Sequence, residues 1–405
     1  MNGLEKGSLP DGWRWAQLGE VAKVFAGSAA PQGEDYFDPQ GPRFVRVSDL
    51  GQKGRTSFLV NIRDRLSPKA LRQCSLVLAK KGTVLFPKSG AAITTNNRAL
   101  LGIDAYIVSH LMAVEPTEQT TSNWLYWSLC QLDMMDYSDN VGYPSLKQST
   151  VEKVTIPLPP LSEQKRIAAI LNEQMMAVER ARAAAEAQWE AAKALPAAYL
   201  RAVFNSLEAQ RWPRKKLGEV AKLERGKFTP RPRNDPRYYG GPYPWIQTGE
   251  VEDAKKYITS YRNTLNEQGL SVSKMFPKGT LVITIAATIG AVGILSFDSC
   301  MPDSLVAITP REGVSDTEYL YYLLMFVREH LESIAPQMAQ ANLKLGLLEP
   351  LEIPAPPLFE QQRIVAMLTE QIAAAEQTHG AVEEQLDTIN KLPAALLRRA
   401  FSGEL

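Results

Sequence analysis

Two clusters of basic side chains hold the densest interacting chemistry in this 405-residue sequence. From Arg43 to Lys88 eleven Lys and Arg residues, Lys53 and Arg55 among them, stand against Asp49 and Asp64. From Arg211 to Arg237 ten stand against Glu219, Glu224 and Asp235. Side chains of this kind neutralise phosphates, and Arg, Gln and Asn read base edges by paired hydrogen bonds in the major groove. The candidates in the first half are Arg43, Arg46, Lys80, Lys81, Lys88, Asn96, Asn97 and Arg98. In the second half they are Arg225, Lys227, Arg231, Arg233, Trp245, Gln247, Thr248 and Lys278. Any one of these Arg residues fits a solvated surface equally well, and Phe44 and Trp245 also suit a core at a strand start. The argument rests on clustering in both halves, which a net charge of +1 conceals.

Other chemistries lack their residues. Cys74, Cys130 and Cys300 are scattered and form no CxxC pair, and His110, His330 and His379 have no helically spaced partner ligand. No metal site and no disulfide framework are expected. The sequence has no Gly-rich cofactor loop paired with an Asn/Asp-Pro-Pro-aromatic site for a flipped adenine, and no GxxxxGK[ST] phosphate loop. The chain is therefore read as non-catalytic. No apolar run reaches about 18 residues, and the start, with Glu5, Lys6 and Pro10, lacks a signal-peptide core, so a cytoplasmic protein is expected.

The elements that position these clusters come in two copies. Pro159-Pro160-Leu161-Ser162-Glu163-Gln164-Lys165-Arg166-Ile167 returns as Pro356-Pro357-Leu358-Phe359-Glu360-Gln361-Gln362-Arg363-Ile364, 197 positions later. The same offset carries Leu195-Pro196 onto Leu392-Pro393 and Phe204 onto Phe401. Upstream, Leu18 to Lys23 returns as Leu217 to Lys222, and Lys81-Gly82-Thr83 as Lys278-Gly279-Thr280, with small shifts of offset between them. A fixed-length element is thus joined to a more variable one.

The fixed element reads as a helix. Pro-Pro pairs end the preceding extended chain, Ser162 suits an N-cap, and neither Gly nor Pro interrupts residues 163–195. Steps of three and four give a heptad-like seam through Ile167, Leu171, Gln174, Val178, Ala181, Ala185, Gln188, Ala192 and Leu195. Its second copy runs Ile364, Leu368, Gln371, Ala375, Thr378, Val382, Gln385, Ile389 and Leu392. Ala-rich helices of about 30 residues, roughly 45 Å, would leave a long stripe uncovered on a small domain. Mutual antiparallel pairing is therefore expected, with the pair acting as a ruler.

The variable element reads as mixed αβ. Phe44–Val47, Ser75–Leu78, Thr83–Phe86, Tyr243–Ile246 and Thr280–Ile285 are β-rich runs punctuated by Gly and Pro. Helices near Ser122–Met135 and Asp316–Leu331 close the units. The expected fold is α+β, with globular units at 1–157 and 209–354 and long helices at 158–208 and 355–405. The helices form a coiled-coil spacer, and the repeat gives an internal pseudo-two-fold.

These copies resemble type I restriction-modification specificity subunits along the whole chain, most specifically in the doubled Pro-Pro-Leu-x-Glu-Gln-x-Arg-Ile helix start. Gly226–Pro230, Tyr243–Val251 and the Lys-Gly-Thr turns are also similar to the family, and Phe86–Ile93 resembles a subgroup version of Thr284–Gly290. The resemblance implies two target-recognition domains, each reading one half of a split double-stranded DNA target. It also implies a helix pair that sets the spacer and docks two methyltransferase (modification) subunits, which carry S-adenosylmethionine and methylate adenine. Restriction/translocase subunits using ATP and Mg can join, and no cofactor is expected in this chain. Arg46 faces Gln247 and His110 faces Ser304 between the copies, so an asymmetric target is expected. The remaining alternatives are a helical-hairpin adaptor that binds protein partners, and the specificity subunit of a methylation-only phage-defence system.

Overall fold

The computed structural model describes residues 9–50, 58–138, 142, 144–286, 289–334 and 345–405, the side chains of 329–334 excepted. Glu5, Lys6, Lys53, Arg55, Ala287, Thr288 and the His330 side chain lie outside the described residues. By packing, the chain forms two units: Met1–Ala187 with Glu383–Leu405, and Gln188–Val382. Each unit holds one globular body, the adjoining part of its own long helix and part of the long helix from the other copy.

In the first unit, one sheet orders the strands Ala22–Ala26, Leu111–Pro116, Val84–Pro87 and Ala99–Leu100. A second orders Asp64–Arg65, Arg43–Val45, Ala105–Ile107 and Leu78–Ala79. Every residue of Val84–Pro87 is buried, as expected of a strand covered on both faces. Only Leu78 of the expected strand Ser75–Leu78 is in a strand: after the helix Pro68–Gln73, Val77 O accepts from Ile107 N and Val77 N donates to Ser28 Oγ, and ladder pairing starts at Leu78 opposite Tyr106.

The second unit repeats this plan. Ala221–Arg225, Leu305–Pro310, Leu281–Thr284, Val292–Leu295 and Tyr257–Ile258 form one sheet; Asn263–Leu265, Tyr239–Trp245, Ser299–Cys300 and Met275–Phe276 form the other. In both units a strand entering the body pairs antiparallel with the one leaving it, Arg14–Gln17 with Thr155–Leu158 and Arg214–Lys216 with Glu352–Pro354. Each body is thereby closed just before its Pro-Pro pair.

The long helices run Leu161–Phe204 and Leu358–Ser402. They pass through Pro196 and Pro393, so at 44 and 45 residues they are about 66 Å long, not the 30 residues expected. Leu161 is already helical, which puts Ser162 inside the first turn and removes it as the N-cap.

Past Ile167 and Ile364, the heptad-like seam is buried at alternate positions only. Ile167, Leu171, Ile364, Leu368 and Val382 are buried, and Gln174, Val178 and Gln371 are half-buried. Ala181, Gln188, Thr378, Gln385 and Leu392 are exposed. Every other seam position is covered at strict seven-residue spacing: Leu368, Ala375, Val382 and Ile389 are buried in the second helix, and Leu171, Ala185 and Ala192 in the first, with Val178 half-buried between them.

What attaches helix to body is the doubled motif. Gln164 is fully buried: its Oε1 accepts from Thr121 N (2.9 Å), and its Nε2 donates to the carbonyls of Gln119 and Pro159 (both 3.0 Å). Gln361 repeats this with Asp316 N (2.9 Å) and the carbonyls of Val314 (3.1 Å) and Pro356 (2.9 Å). Buried backbone groups must find partners, and one amide satisfies three of them. Next to each Gln, Arg166 pairs with Glu163 and Arg363 with Glu360. Within the first unit, Ile167 and Leu171 share a core with Leu397, Ala400 and Phe401 of the other long helix; within the second, Ile364 and Leu368 share one with Leu200 and Phe204.

Candidate nucleic-acid interface

The two bodies carry one backbone frame. Gly27 N donates to Leu111 O and Gly226 N to Leu305 O. A Cβ on either glycine would come within 2.2 Å of a carbonyl oxygen, so neither position admits a side chain. Lys88 N donates to His110 O, as Ile285 N donates to Ser304 O. Arg46 N donates to Asp49 Oδ2 (2.7 Å), as Gln247 N does to Glu250 Oε2 (2.9 Å). Arg46 therefore corresponds to Gln247, Lys88 to Ile285, Ser89 to Ala286 and His110 to Ser304.

In the second unit this frame opens a cavity of about 550 Å³ lined by Arg233, Asn234, Pro236, Tyr239, Trp245, Gln247, Thr248, Asn263, Ala286, Pro302 and Ser304. Asp303 gathers its arginines: Arg225 Nε donates to the Asp303 carbonyl, Arg233 pairs with its carboxylate, and Arg231 lies 3.6 Å from it. Arg231 also donates to the carbonyls of Phe228 (3.0 Å) and Pro230 (2.8 Å), and Tyr239 Oη donates to Arg233 O (2.6 Å). The three guanidinium groups are thus held at the surface beside the cavity before any ligand arrives.

In the first unit Arg46 pairs with Asp64 and lies over the rings of Phe37 and Phe44, 5.6 and 5.7 Å from their centroids. Beside it on the frame, His110 Nδ1 and Ser89 Oγ share a 2.6 Å hydrogen bond, and His110 is exposed. Lys88 is half-buried at the end of the strand Val84–Pro87.

Several expected contact residues sit elsewhere. Arg98 is 2% exposed; its nitrogens donate to the carbonyls of Leu129, Leu132 and Asn97 and to Asn96 Oδ1, with the guanidinium 5.1 Å from the Phe86 ring centroid. Burial lowers its pKa to about 10, so it remains charged at neutral pH as a structural cation. Asn96, in the left-handed conformation (φ 53°), is buried with it, and Asn97 Nδ2 points to Leu50 O. Arg43 Nη1 donates to Ile62 O (2.7 Å), tying its strand to the segment that leads into Asp64–Arg65.

Lys80, Lys81 and Lys278 are exposed, but at the opposite end of their strands from Lys88 and Ala286. Their Lys-Gly-Thr turns are structural: Gly82 and Gly279 have φ of 87° and 84°, and Asp104 and Asp298 accept from Lys81 N and Lys278 N. Trp245 is 1% exposed and packs on Phe228 at 4.8 Å, so it forms the cavity floor and not a stacking surface. Arg225, Lys227, Arg231, Arg233, Gln247 and Thr248 are at least partly exposed on the second body. Of the sixteen candidates, the cavity of the second unit brings together Arg233, Trp245, Gln247 and Thr248.

The profile of the family described as "Type I restriction modification DNA specificity domain" matches residues 10–180 and 210–387, once per body. The chain belongs to this family. It is 22% identical over 446 aligned positions to the type I restriction enzyme EcoDI specificity subunit of Escherichia coli, covering 99% of this chain and 90% of that protein. It is 31% identical to the MjaIX specificity subunit of Methanocaldococcus jannaschii over 163 residues, spanning 39% of this chain and 37% of that relative. The HsdS subunit of Thermoanaerobacter tengcongensis shares the fold, with a TM-score of 0.68, 23% identity and 99% coverage of both chains. A chain from a type I R-M system structure gives a TM-score of 0.75 at 23% identity, covering 98% of this chain and all of that one. The chain is thus a type I specificity protein with a DNA-recognition role.

In this specificity chain, Asp303, Asn234, Asn263 and Ser89 were not singled out from sequence. Asp303 sits about 70 residues from the arginines it gathers, and no local pattern marks such a pairing. His110 and Ser304 stood out only as a point where the copies differ. Among the described residues, no helix is long and apolar enough to cross a membrane, and no group of His, Cys, Asp and Glu could hold a metal ion.

Proposed function

We propose that each body reads one half of a split, asymmetric DNA target, and that the two long helices form an antiparallel pair that sets the spacer. The observation that carries this is the contrast between the two kinds of repeat position. The helix anchors Gln164 and Gln361 keep their partners in both copies, while the frame positions Arg46 and Gln247, or His110 and Ser304, differ. Two different side-chain sets on one frame favour two different half-sites.

Antiparallel pairing is supported within the second unit by Trp189 beside His379 and by Leu200 and Phe204 sharing a core with Ile364 and Leu368, since one helix number falls as the other rises. The seam residues Ile167, Leu171, Gln174, Val178, Ile364, Leu368, Gln371 and Val382 belong to the proposed spacer. The chain itself is non-catalytic in this reading. It docks two methyltransferase subunits, which bring S-adenosylmethionine for adenine methylation, and where present restriction subunits bring ATP and Mg. This work takes place in the cytoplasm, on double-stranded DNA.

Long-read methylation mapping, in a host expressing the chain with its modification partner, tests the proposal. A split motif with two different halves is expected; identical halves would contradict the asymmetry. A protein-binding adaptor would instead yield no motif and DNA binding insensitive to salt, whereas a DNA reader loses affinity steeply as salt rises.

A further inference from the structure

The equivalence of the two frames allows the reading residues to be assigned position by position. In the second unit Gln247, Ala286 and Ser304 line one cavity. The same backbone hydrogen bonds place Arg46, Ser89 and His110 at the corresponding positions of the first unit. The backbone N–H of Arg46 and that of Gln247 are each held by an acid three residues on, which fixes the main chain at both positions in the same way. These positions are built identically and filled differently, as a reading position requires.

We propose that these are the base-reading positions, and that their chemistry assigns a guanine to the half-site read by the first unit and an adenine to the half-site read by the second. This rests on the bipartite reading above. Asp64 holds Arg46 through Nε, so the Nη1/Nη2 edge remains as a planar pair of donors. In the tautomer in which His110 Nδ1 accepts the hydrogen bond from the Ser89 hydroxyl, the ring hydrogen lies on Nε2, which is then a third donor. A set made only of donors matches the major-groove edge that offers two acceptors, guanine N7 and O6. Gln247 instead offers one donor and one acceptor, the complement of adenine N6 and N7, and the Ala286 methyl suits the methyl of a neighbouring thymine.

The test expresses the full chain with its modification subunit and reads the methylated motif. Wild-type should show a required G·C pair in one half and a required A·T pair in the other. Gln247→Arg should move the second half toward guanine at one position, and His110→Ser should relax one position of the first half roughly ten-fold. In each case the other half should stay unchanged. Purified complexes competed against duplexes that differ at that base pair give the same readout where a variant methylates weakly. Preferences identical to wild-type in both variants overturn the assignment, as does equal loss for all duplexes in a complex that melts at the wild-type temperature. Absence of any split motif in wild-type would overturn the bipartite reading itself.

Discussion

The Trp124 indole packs on Phe401 with ring centroids 4.8 Å apart, while its Nε1 donates to Pro157 O (3.0 Å). Trp124 belongs to the first body and Phe401 to the helix of the second copy. The repeat reproduces this in exchange: Tyr319 donates to Pro354 O (2.9 Å) and packs on Phe204, from the helix of the first copy, at 5.9 Å. Phe401→Ala should therefore destabilise the first unit by about 3 kcal/mol, the usual consequence of emptying an aromatic site in a core. Hydrogen exchange locates the effect. Protection should fall around Ser122–Gln131, far from Phe401 in sequence; loss confined to the end of the long helix would contradict the exchanged packing.

Gln164→Leu removes an amide that serves three buried backbone groups. Each orphaned group costs about 1–3 kcal/mol, and the leucine recovers only part of this by packing. A clear fall in the urea midpoint is expected for Gln164→Leu and for Gln361→Leu. Gln362→Leu, exposed and one residue along, should change it by less than about 0.5 kcal/mol. Equal effects at positions 361 and 362 would count against the clamp.

Arg98 and Lys227 test the division between structural and phosphate-facing cations. Arg98→Ala should lower stability by about 3 kcal/mol, because Asn96 Oδ1 and the carbonyls of Leu129 and Leu132 each lose a donor and the buried site is emptied. Among complexes that remain folded, the dependence of DNA affinity on salt should not change. Lys227→Ala should leave the melting temperature in place and reduce the log–log salt slope by about 1. Filter binding between 50 and 200 mM salt distinguishes the two.

These residues also mark how much was legible in sequence. The duplication, the helix anchors and the basic character of the bodies are local patterns, and Gln164 and Gln361 could be found from spacing alone. Arg98 could not be told from a surface Arg, because its burial depends on the turn at Asn96 and on carbonyls more than 30 residues away. The Lys-Gly-Thr turns recur for their glycine φ angles and not for their lysines. Spacing marks the buried series Leu368, Ala375, Val382 and Ile389, but not that its alternates Thr378, Gln385 and Leu392 are exposed, which only packing decides.

Glu318 gives the acid limb of stability a named contributor. Burial raises its carboxyl, but hydrogen bonds from Lys256 and Tyr257 outweigh this and hold the pKa below its ordinary value. A carboxyl depressed in the folded state adds stability that is complete above the unfolded value, about 4.3, and is lost as pH falls through the folded one. Glu318→Gln should therefore destabilise at pH 7 and converge with wild-type below about pH 4. Urea midpoints across that range decide; a constant gap would assign the effect to packing.

The spacer proposal is tested by insertion. Four residues at Ala184, with four matching ones at Ala381, add about 6 Å and turn the following face by only about 40°, since each residue advances about 100°. The apolar stripe stays in phase, and the preferred spacer should lengthen by about two base pairs at 3.4 Å each. Five residues add little more length but rotate the face by about 140°, turning Glu384 and Lys391 to the side where Val382 now lies. That insertion should abolish methylation, while the four-residue insertion retains it with both half-sites unchanged. Methylation mapping reads length and phase separately: altered half-sites with four residues, or equal tolerance of four and five, would leave the helices without a measuring role.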